Sequence, residues 1–314
     1  MKSTKKFWQK QRVLITGAHG FLGSHLVRNL KKLNPKELKL PKHSKIDLRD
    51  QGACAAIVED MDIVIHLAAN VGGIGYNQKF PGELFYDNLL MGVHLMEEAR
   101  KAGIKKFVGL GTICAYPKFT SIPFQEKNLW AGYPEETNAP YGLAKKMLLV
   151  QGQAYRKQYN FNAIYLLPVN MYGPGDNFNP LSSHVIPALI RKFINAKKNK
   201  QKTVSIWGTG RPTREFLYVK DAAKGIILAS EYFNGAEPIN LGSSFEISIK
   251  ELAGMIQKIV GFTGKLVFDS SKPDGQPRRK LDVSKAQDKF GFLAQTNFEK
   301  GLKETINWYI KNEN

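Results

Sequence analysis

A chain of 314 residues with 43% hydrophobic content can build one large α/β domain plus a smaller one, and it holds no uninterrupted apolar run long enough to cross a bilayer. Lysine and arginine number 46 against 27 acidic residues, a formal charge of +19. The lysines (among them Lys31, Lys32, Lys105, Lys106, Lys197, Lys198, Lys200 and Lys202) are scattered, not interleaved with aromatics, which argues against a nucleic-acid module and suits polyanionic small ligands.

The stretch 1–12 is basic and lacks the apolar segment of a secretory signal. Val13-Leu14-Ile15 predicts a buried strand, and the helix after it runs from Phe21 to Leu33. Leu38-Lys39-Leu40 is a weaker second strand. Cys54, in an alanine-rich apolar run, reads as a small core residue. Asp62 to Leu67 is a third strand, Phe85 to Ala102 a helix, and Lys106 to Leu110 a fourth strand. A helix carrying Tyr141 and Lys145 extends to about Tyr159, followed by a fifth strand, Ala163 to Leu167. Strands alternating with helices imply right-handed βαβ units. The expected fold is therefore α/β: a Rossmann-type doubly wound parallel sheet with a smaller C-terminal α/β substrate-binding lobe.

After Pro168 the pattern changes. Pro174, Gly175, Asn177, Asn179 and Pro180 make an irregular, ligand-facing loop. A helix over 183–196, a strand over 204–207 and a later helix–strand–helix region ending near Ile310 complete the chain. The expected division is a dinucleotide-binding domain over 1–180, with 221–240 returning to it, and a second lobe over 181–314. The two cysteines, Cys54 and Cys114, are too few and too badly spaced for a disulfide framework or a zinc site. No metal is expected, and a reducing cytoplasm fits.

Two features carry chemistry. In Thr16-Gly17-Ala18-His19-Gly20-Phe21-Leu22-Gly23 the glycines follow a strand and open a helix. Gly17 permits the tight turn, Gly20 the approach of a phosphate and Gly23 close helix–sheet packing; the helix N-terminus favours a pyrophosphate. A carboxylate at the end of the second strand would hold the ribose hydroxyls of NAD, but the chain has Leu40-Pro41-Lys42-His43 there. Lys42, His43 and His19 suit a 2′-phosphate, so NADP(H) is the expected cofactor. Asp47 is either an adenine contact or a helix N-cap. The cofactor is expected to touch Gly17, His19, Gly20, Phe21, Leu22, Gly23, Lys42, His43 and Asp47.

The second feature is Tyr141 with Lys145. Among twelve tyrosines only this one has a lysine four positions later. One helical turn puts phenol and ammonium on one face. The ammonium is expected to lower the phenol's pKa toward working pH, the arrangement of a proton donor in hydride chemistry on a carbonyl.

At these residues the chain resembles the extended short-chain dehydrogenase/reductase family, and within it the epimerase–reductases of GDP-linked 4-keto sugars. The matching segments are Val71-Gly72-Gly73-Ile74, Cys114-Ala115-Tyr116-Pro117-Lys118, Asn138-Ala139-Pro140-Tyr141, Met171-Tyr172-Gly173-Pro174, Asp176-Asn177-Phe178, Ser183 to Leu189, Arg214-Glu215-Phe216 and Lys272-Pro273-Asp274-Gly275. They run in order along nearly the whole chain. The resemblance implies Tyr141 as proton donor, Lys145 as its partner on the nicotinamide ribose, and Thr112 as third member, where the family usually has serine. His19 stands where relatives carry arginine. Cys114 falls at the epimerisation base and His184 at the epimerisation acid. Leu48, Leu67, Ala68, Ala69, Tyr141, Lys145, Pro168, Asn170, Met171 and His184 are implied around the cofactor. Asn170, Lys192, Trp207, Arg214, Asp274 and Arg279 are implied around the GDP-sugar, and a homodimer through the helices over 83–102 and 141–159 is implied as well.

The expected reaction is NADPH-dependent reduction of the C4 ketone of a GDP-4-keto sugar with C3/C5 epimerisation. Three alternatives stay open: a C4-reductase of another GDP-4-keto sugar, such as a 4-keto heptose, with epimerisation reduced or lost; an NAD-retaining epimerase or dehydratase; and a non-catalytic nucleotide-binding regulator.

Overall fold

The structure is a computed structural model that describes residues 4–312 apart from 273. The first residues of the basic N-terminus and the proline of the Lys272-to-Gly275 motif lie outside the described residues. A short helix, α1 (Lys5–Trp8), leads into β1 (Arg12–Thr16), α2 (Phe21–Leu33) and β2 (Glu37–Lys39). There follow α3 (Gln51–Val58), β3 (Ile63–His66), α4 (Ile74–Lys79), α5 (Pro81–Lys101) and β4 (Lys106–Leu110). Beyond two 3-10 turns, Ile113–Ala115 and Glu126–Asn128, come α6 (Ala139–Tyr159), β5 (Ala163–Pro168) and β6 (Asn170–Tyr172). The chain continues through α7 (Val185–Lys198), β7 (Thr203–Trp207), β8 (Thr213–Tyr218), α8 (Val219–Tyr232) and β9 (Pro238–Leu241). It ends with β10 (Glu246–Ser248), α9 (Ile249–Val260), β11 (Lys265–Asp269), β12 (Arg278–Arg279), α10 (Ser284–Phe290) and α11 (Phe298–Asn312).

Six strands form one parallel sheet in the order β2-β1-β3-β4-β5-β9. Register is set by buried apolar pairs such as Leu14 beside Val64 and Val108 beside Ile164. Strands covered on both faces have no reason to alternate, and β3 and β4 are buried at every position. Between β1 and β3 the chain reverses its direction of winding, so a crevice opens at the carboxyl ends of these strands. The last strand, β9, pairs with β5 and arrives after α8, which packs on α2.

A second core gathers Ile190 and Phe193 of α7, Phe216 and Tyr218 of β8, Leu252 and Ile256 of α9, and Leu302 and Ile306 of α11. Its strands are short: β8 pairs with β10, β12 and β6, while β11 pairs with β7. This unit rests against the open end of the large sheet, and the cleft runs between them.

Several boundaries differ from the sequence expectation. Helix α5 starts at Pro81 instead of Phe85 because proline at a first helical turn forfeits no hydrogen bond. Helix α3 was not foreseen; Asp50 caps it, its carboxylate accepting from the Ala53 N–H at 2.9 Å. The N-cap reading for Asp47 is therefore wrong: the cap lies three residues further on, and Asp47 instead pairs with Arg49 at 2.7 Å.

Candidate active site

One cleft of about 1450 Å³ extends from the glycine loop to Trp207. At its cofactor end Gly17 has φ +69 and a Cβ there would lie 2.7 Å from the Ala68 nitrogen, so only glycine fits. A Cβ on Gly23 would come within 2.1 Å of the Gly17 carbonyl oxygen. Gly20 is the N-cap of α2 and offers no side-chain cap, which leaves the first-turn N–H groups facing the cleft. This cradle fits the pyrophosphate of a dinucleotide. Lys42, His43, Ser44 and Arg49 line the cleft further out, hydrogen-bond donors suited to an additional phosphate. Here His19 turns its Nε2 to the Leu40 carbonyl oxygen at 3.3 Å. The Asp47 carboxylate is taken up by Arg49, which also reaches Asp87 at 3.0 Å. Leu48, Leu67, Ala68, Ala69, Pro168, Asn170 and Met171 all line the same cleft.

We expect Gly23→Ala to weaken NADPH binding at least about tenfold, roughly 1.4 kcal/mol, because the added methyl forces the phosphate loop off α2. A fluorescence titration checks this; an unchanged Kd would refute the cradle.

At the centre, Tyr141 and Lys145 project from the first turns of α6 and both are buried. Pro140 lies in the first turn of the helix, and Gly142 lets the 3-10 turn pack directly on it: a Cβ there would sit 2.5 Å from the Cys114 carbonyl oxygen. That turn is capped by Thr112, whose hydroxyl oxygen accepts from the Cys114 N–H at 3.2 Å. The same hydroxyl bonds the Tyr141 phenol. Thr112, Cys114 and Tyr141 are thereby tied into one unit. The Lys145 backbone carbonyl accepts from the Tyr165 hydroxyl at 2.8 Å, which fixes the helix on β5.

The electrostatics depart from expectation. Burial pushes the Tyr141 phenol above its ordinary pKa, with Cys114 adding and the Thr112 hydrogen bond opposing. The predicted lowering by Lys145 is absent: removal of water from the phenol is the largest effect, and Lys145 is not among the groups that act on it. Burial acts on Lys145 too, lowering its ammonium to about 8. A phenol that stays protonated is still the right state for a donor to a developing alkoxide.

Cys114 is half-buried, and Arg279 Nη1 donates to its sulfur at 3.5 Å. His184 is the N-cap of α7 and makes no cap bond with its ring, so the imidazole is free to face the cleft. The ring keeps solvent contact through the cleft mouth, yet enclosure by the walls lowers its pKa; the positive end of the helix dipole acts in the same sense.

At the far end stand Lys192, Trp207 and Arg214. Trp207 is 54% exposed, which rules out buried packing as its role. Lys192 Nζ lies 5.7 Å and Lys272 Nζ 5.9 Å from its ring centroid. Burial, followed by repulsion from Arg279, lowers Arg214 to about 10. Its guanidinium donates to the Thr213 carbonyl at 2.8 Å and the Asp274 carbonyl at 3.3 Å. Asp274 spends its carboxylate on the Thr209 N–H and hydroxyl, at 2.7 and 2.8 Å.

The cleft thus brings together all of the anticipated residues. It also includes groups that sequence reasoning passed over. Asp176 has one carboxylate oxygen without a partner, and burial pushes it up to about 7. The sequence marks it only as part of the matching segment Asp176-Asn177-Phe178 in the 174–180 loop, with no role attached. Gln276 joins the wall through Arg279, whose Nε donates to its side-chain oxygen at 2.7 Å; nothing local in the sequence marks it.

Comparison with known proteins agrees with this geometry. The model of the NAD dependent epimerase/dehydratase family matches residues 13–242. The chain is 42% identical over 304 residues to a probable GDP-L-fucose synthase 1 of Oryza sativa subsp. japonica, covering 96% of this chain and 92% of the relative. It is 38% identical to the GDP-L-fucose synthase of Escherichia coli (strain K12), covering 97% and 98%. Among solved structures, the NADP-bound GDP-L-fucose synthetase of Naegleria fowleri superposes with a TM-score of 0.89 at 32% identity, covering 97% and 94%. A GDP-6-OMe-4-keto-L-xylo-heptose reductase from C. jejuni gives 0.91 at 29%, covering 98% and 99%.

Proposed function

The chain belongs to the NAD dependent epimerase/dehydratase family, and from that premise we propose that it inverts C3 and C5 of a GDP-linked 4-keto sugar and then reduces its C4 ketone with NADPH. The observation that carries the reading is the convergence of Thr112, Tyr141, Lys145, Cys114 and His184 in one cleft between a phosphate cradle and a cationic, tryptophan-edged end.

The GDP-sugar lies with its diphosphate toward Arg214 and Lys192 and with Trp207 over its outer part. Asp274, through Thr209, shapes the turn after Trp207, and Asn170 contacts the sugar or nicotinamide. The C4 carbonyl acidifies the hydrogens on C3 and C5. The Cys114 sulfur takes such a proton as the C–H electron pair moves into an enediolate, and the His184 ring returns a proton on the opposite face. Bound NADPH supplies the hydride for C4. Thr112 polarises the ketone oxygen, Tyr141 protonates it, and Lys145 holds the ribose side of the site as a cation.

Incubation with GDP-4-keto-6-deoxymannose and NADPH tests the reading: NADPH is consumed and, in D2O, deuterium enters C3 and C5. A protein that consumes no NADPH with this ketone or a heptose analogue is not such a reductase. A second reading, a C4-reductase of a GDP-4-keto heptose, is favoured by the likeness to the C. jejuni heptose reductase; faster turnover of the heptose ketone would establish it.

Lys145 also sets a pH expectation. Its folded-state pKa lies near 8, so the cation is present below that value and lost above it. The kcat/KM for reduction, which reports the free enzyme, is expected to fall as pH rises through about 8, and a profile flat to high pH would remove the charge from the mechanism.

A cytoplasmic homodimer completes the proposal. Free Cys54 and Cys114 accord with a reducing compartment. Exposed Phe85 and Tyr86 on α5, with Val150 and Tyr159 on α6, supply apolar surface for a partner copy. No helix among the described residues is long and apolar enough to cross a membrane.

A further inference from the structure

Arg279 is only 8% exposed, yet among the described residues no carboxylate lies within ion-pair distance of it. Its side chain is held by two neighbours. Nε donates to Gln276 Oε1 at 2.7 Å, and Nη1 donates to Cys114 Sγ at 3.5 Å. Gln276 is itself buried, and its amide nitrogen donates to the Lys118 carbonyl at 2.7 Å. The clamp therefore bridges the segment before β12 and the loop that follows Cys114. A second guanidinium, Arg214, is close enough to repel Arg279.

A buried cation without an anionic partner is costly, and removing water strengthens whatever counter-charge is within reach. Gln276 is neutral. The sulfur is the one group bonded to Arg279 that can become an anion.

We propose that Gln276 and Arg279 are positioning residues for the epimerisation half-reaction: Gln276 orients the guanidinium, and Arg279 stabilises the thiolate of Cys114, the form that accepts a proton from carbon. The inference rests on the assignment of Cys114 as epimerisation base. Register supports it. Arg279 sits beside Arg214 in the β12–β8 pairing, and Asp274 of the same segment caps the Thr209 turn. The segment that carries Arg279 thus also frames the end of the cleft where the nucleotide would bind.

The test uses the full chain and two independent readouts. The first needs no substrate. Cys114 and Cys54 are the only thiols, and Cys54 is fully buried, so it serves as an internal control. Iodoacetamide labelling followed by peptide mass gives the rate at Cys114, which depends on the thiolate. Arg279→Gln is expected to slow that labelling about tenfold and Gln276→Leu severalfold, with Arg279→Lys recovering most of the loss. The second readout is the ratio of C3/C5 deuterium exchange to ketone reduction, expected to fall about tenfold in Arg279→Gln. Melting curves show whether each variant is folded, and Arg279→Lys carries the test if the glutamine variant is not. Unchanged labelling in folded Arg279→Gln, or a lysine variant no better than glutamine, overturns the proposal. If wild type shows no exchange at all, the functional reading fails instead, while the labelling still decides whether Arg279 acts on the sulfur.

Discussion

Replacing Tyr141 with phenylalanine is expected to lower the rate of ketone reduction by about 10²–10⁴, the usual worth of a positioned general acid. That is roughly 3–5 kcal/mol of transition-state stabilisation. The phenol is the proton source within the Thr112–Tyr141 pair, and burial keeps it protonated. Thr112 cannot replace it, because an aliphatic hydroxyl is a far weaker acid than a phenol. The fold should tolerate the change. The ring stays packed, Thr112 keeps its backbone partner, and the lost hydrogen bond costs on the order of 1 kcal/mol. Deuterium exchange at C3 and C5 should persist, since Cys114 and His184 are untouched. NADPH consumption and deuterium incorporation measured on one sample separate the two steps. Reduction at the wild-type rate would remove Tyr141 from the donor role.

The reciprocal variant, Cys114→Ser, is expected to suppress exchange by at least about 10² while a ketone already inverted at C3 and C5 is still reduced. The two side chains have nearly the same shape, but an alkoxide is far less accessible than a thiolate. Geometry should survive, because Thr112 holds residue 114 through its backbone N–H and not through sulfur. Loss of both activities would mean that the 3-10 turn had moved, and the melting temperature would report it. Unchanged exchange in a folded variant would show that another base acts on C3 and C5.

Much of the site is legible in the sequence. The glycine loop announces itself because a strand, three glycines and a helix must follow one another within one short segment. Tyr141 and Lys145 announce themselves because a helix repeats its face every turn. The strands β1, β3, β4 and β5 were visible as short apolar runs, since a strand buried on both faces needs apolar side chains throughout. Helix α3 and the start of α5 escaped. Their signals are a single aspartate cap and a proline at the first turn, cues that many loops share.

What the sequence by itself determined was therefore the set of local, periodic features: a parallel α/β sheet, a phosphate cradle, and a tyrosine and lysine on one helix face. Only the tertiary structure decided how those groups are tuned. Arg279 meets Cys114 across 165 residues of chain, and Asp176 and Lys145 owe their shifted protonation to desolvation by walls drawn from distant segments. The upward direction of the Tyr141 shift has the same origin: an adjacent charge can be read from spacing, whereas loss of water depends on everything that packs around the group.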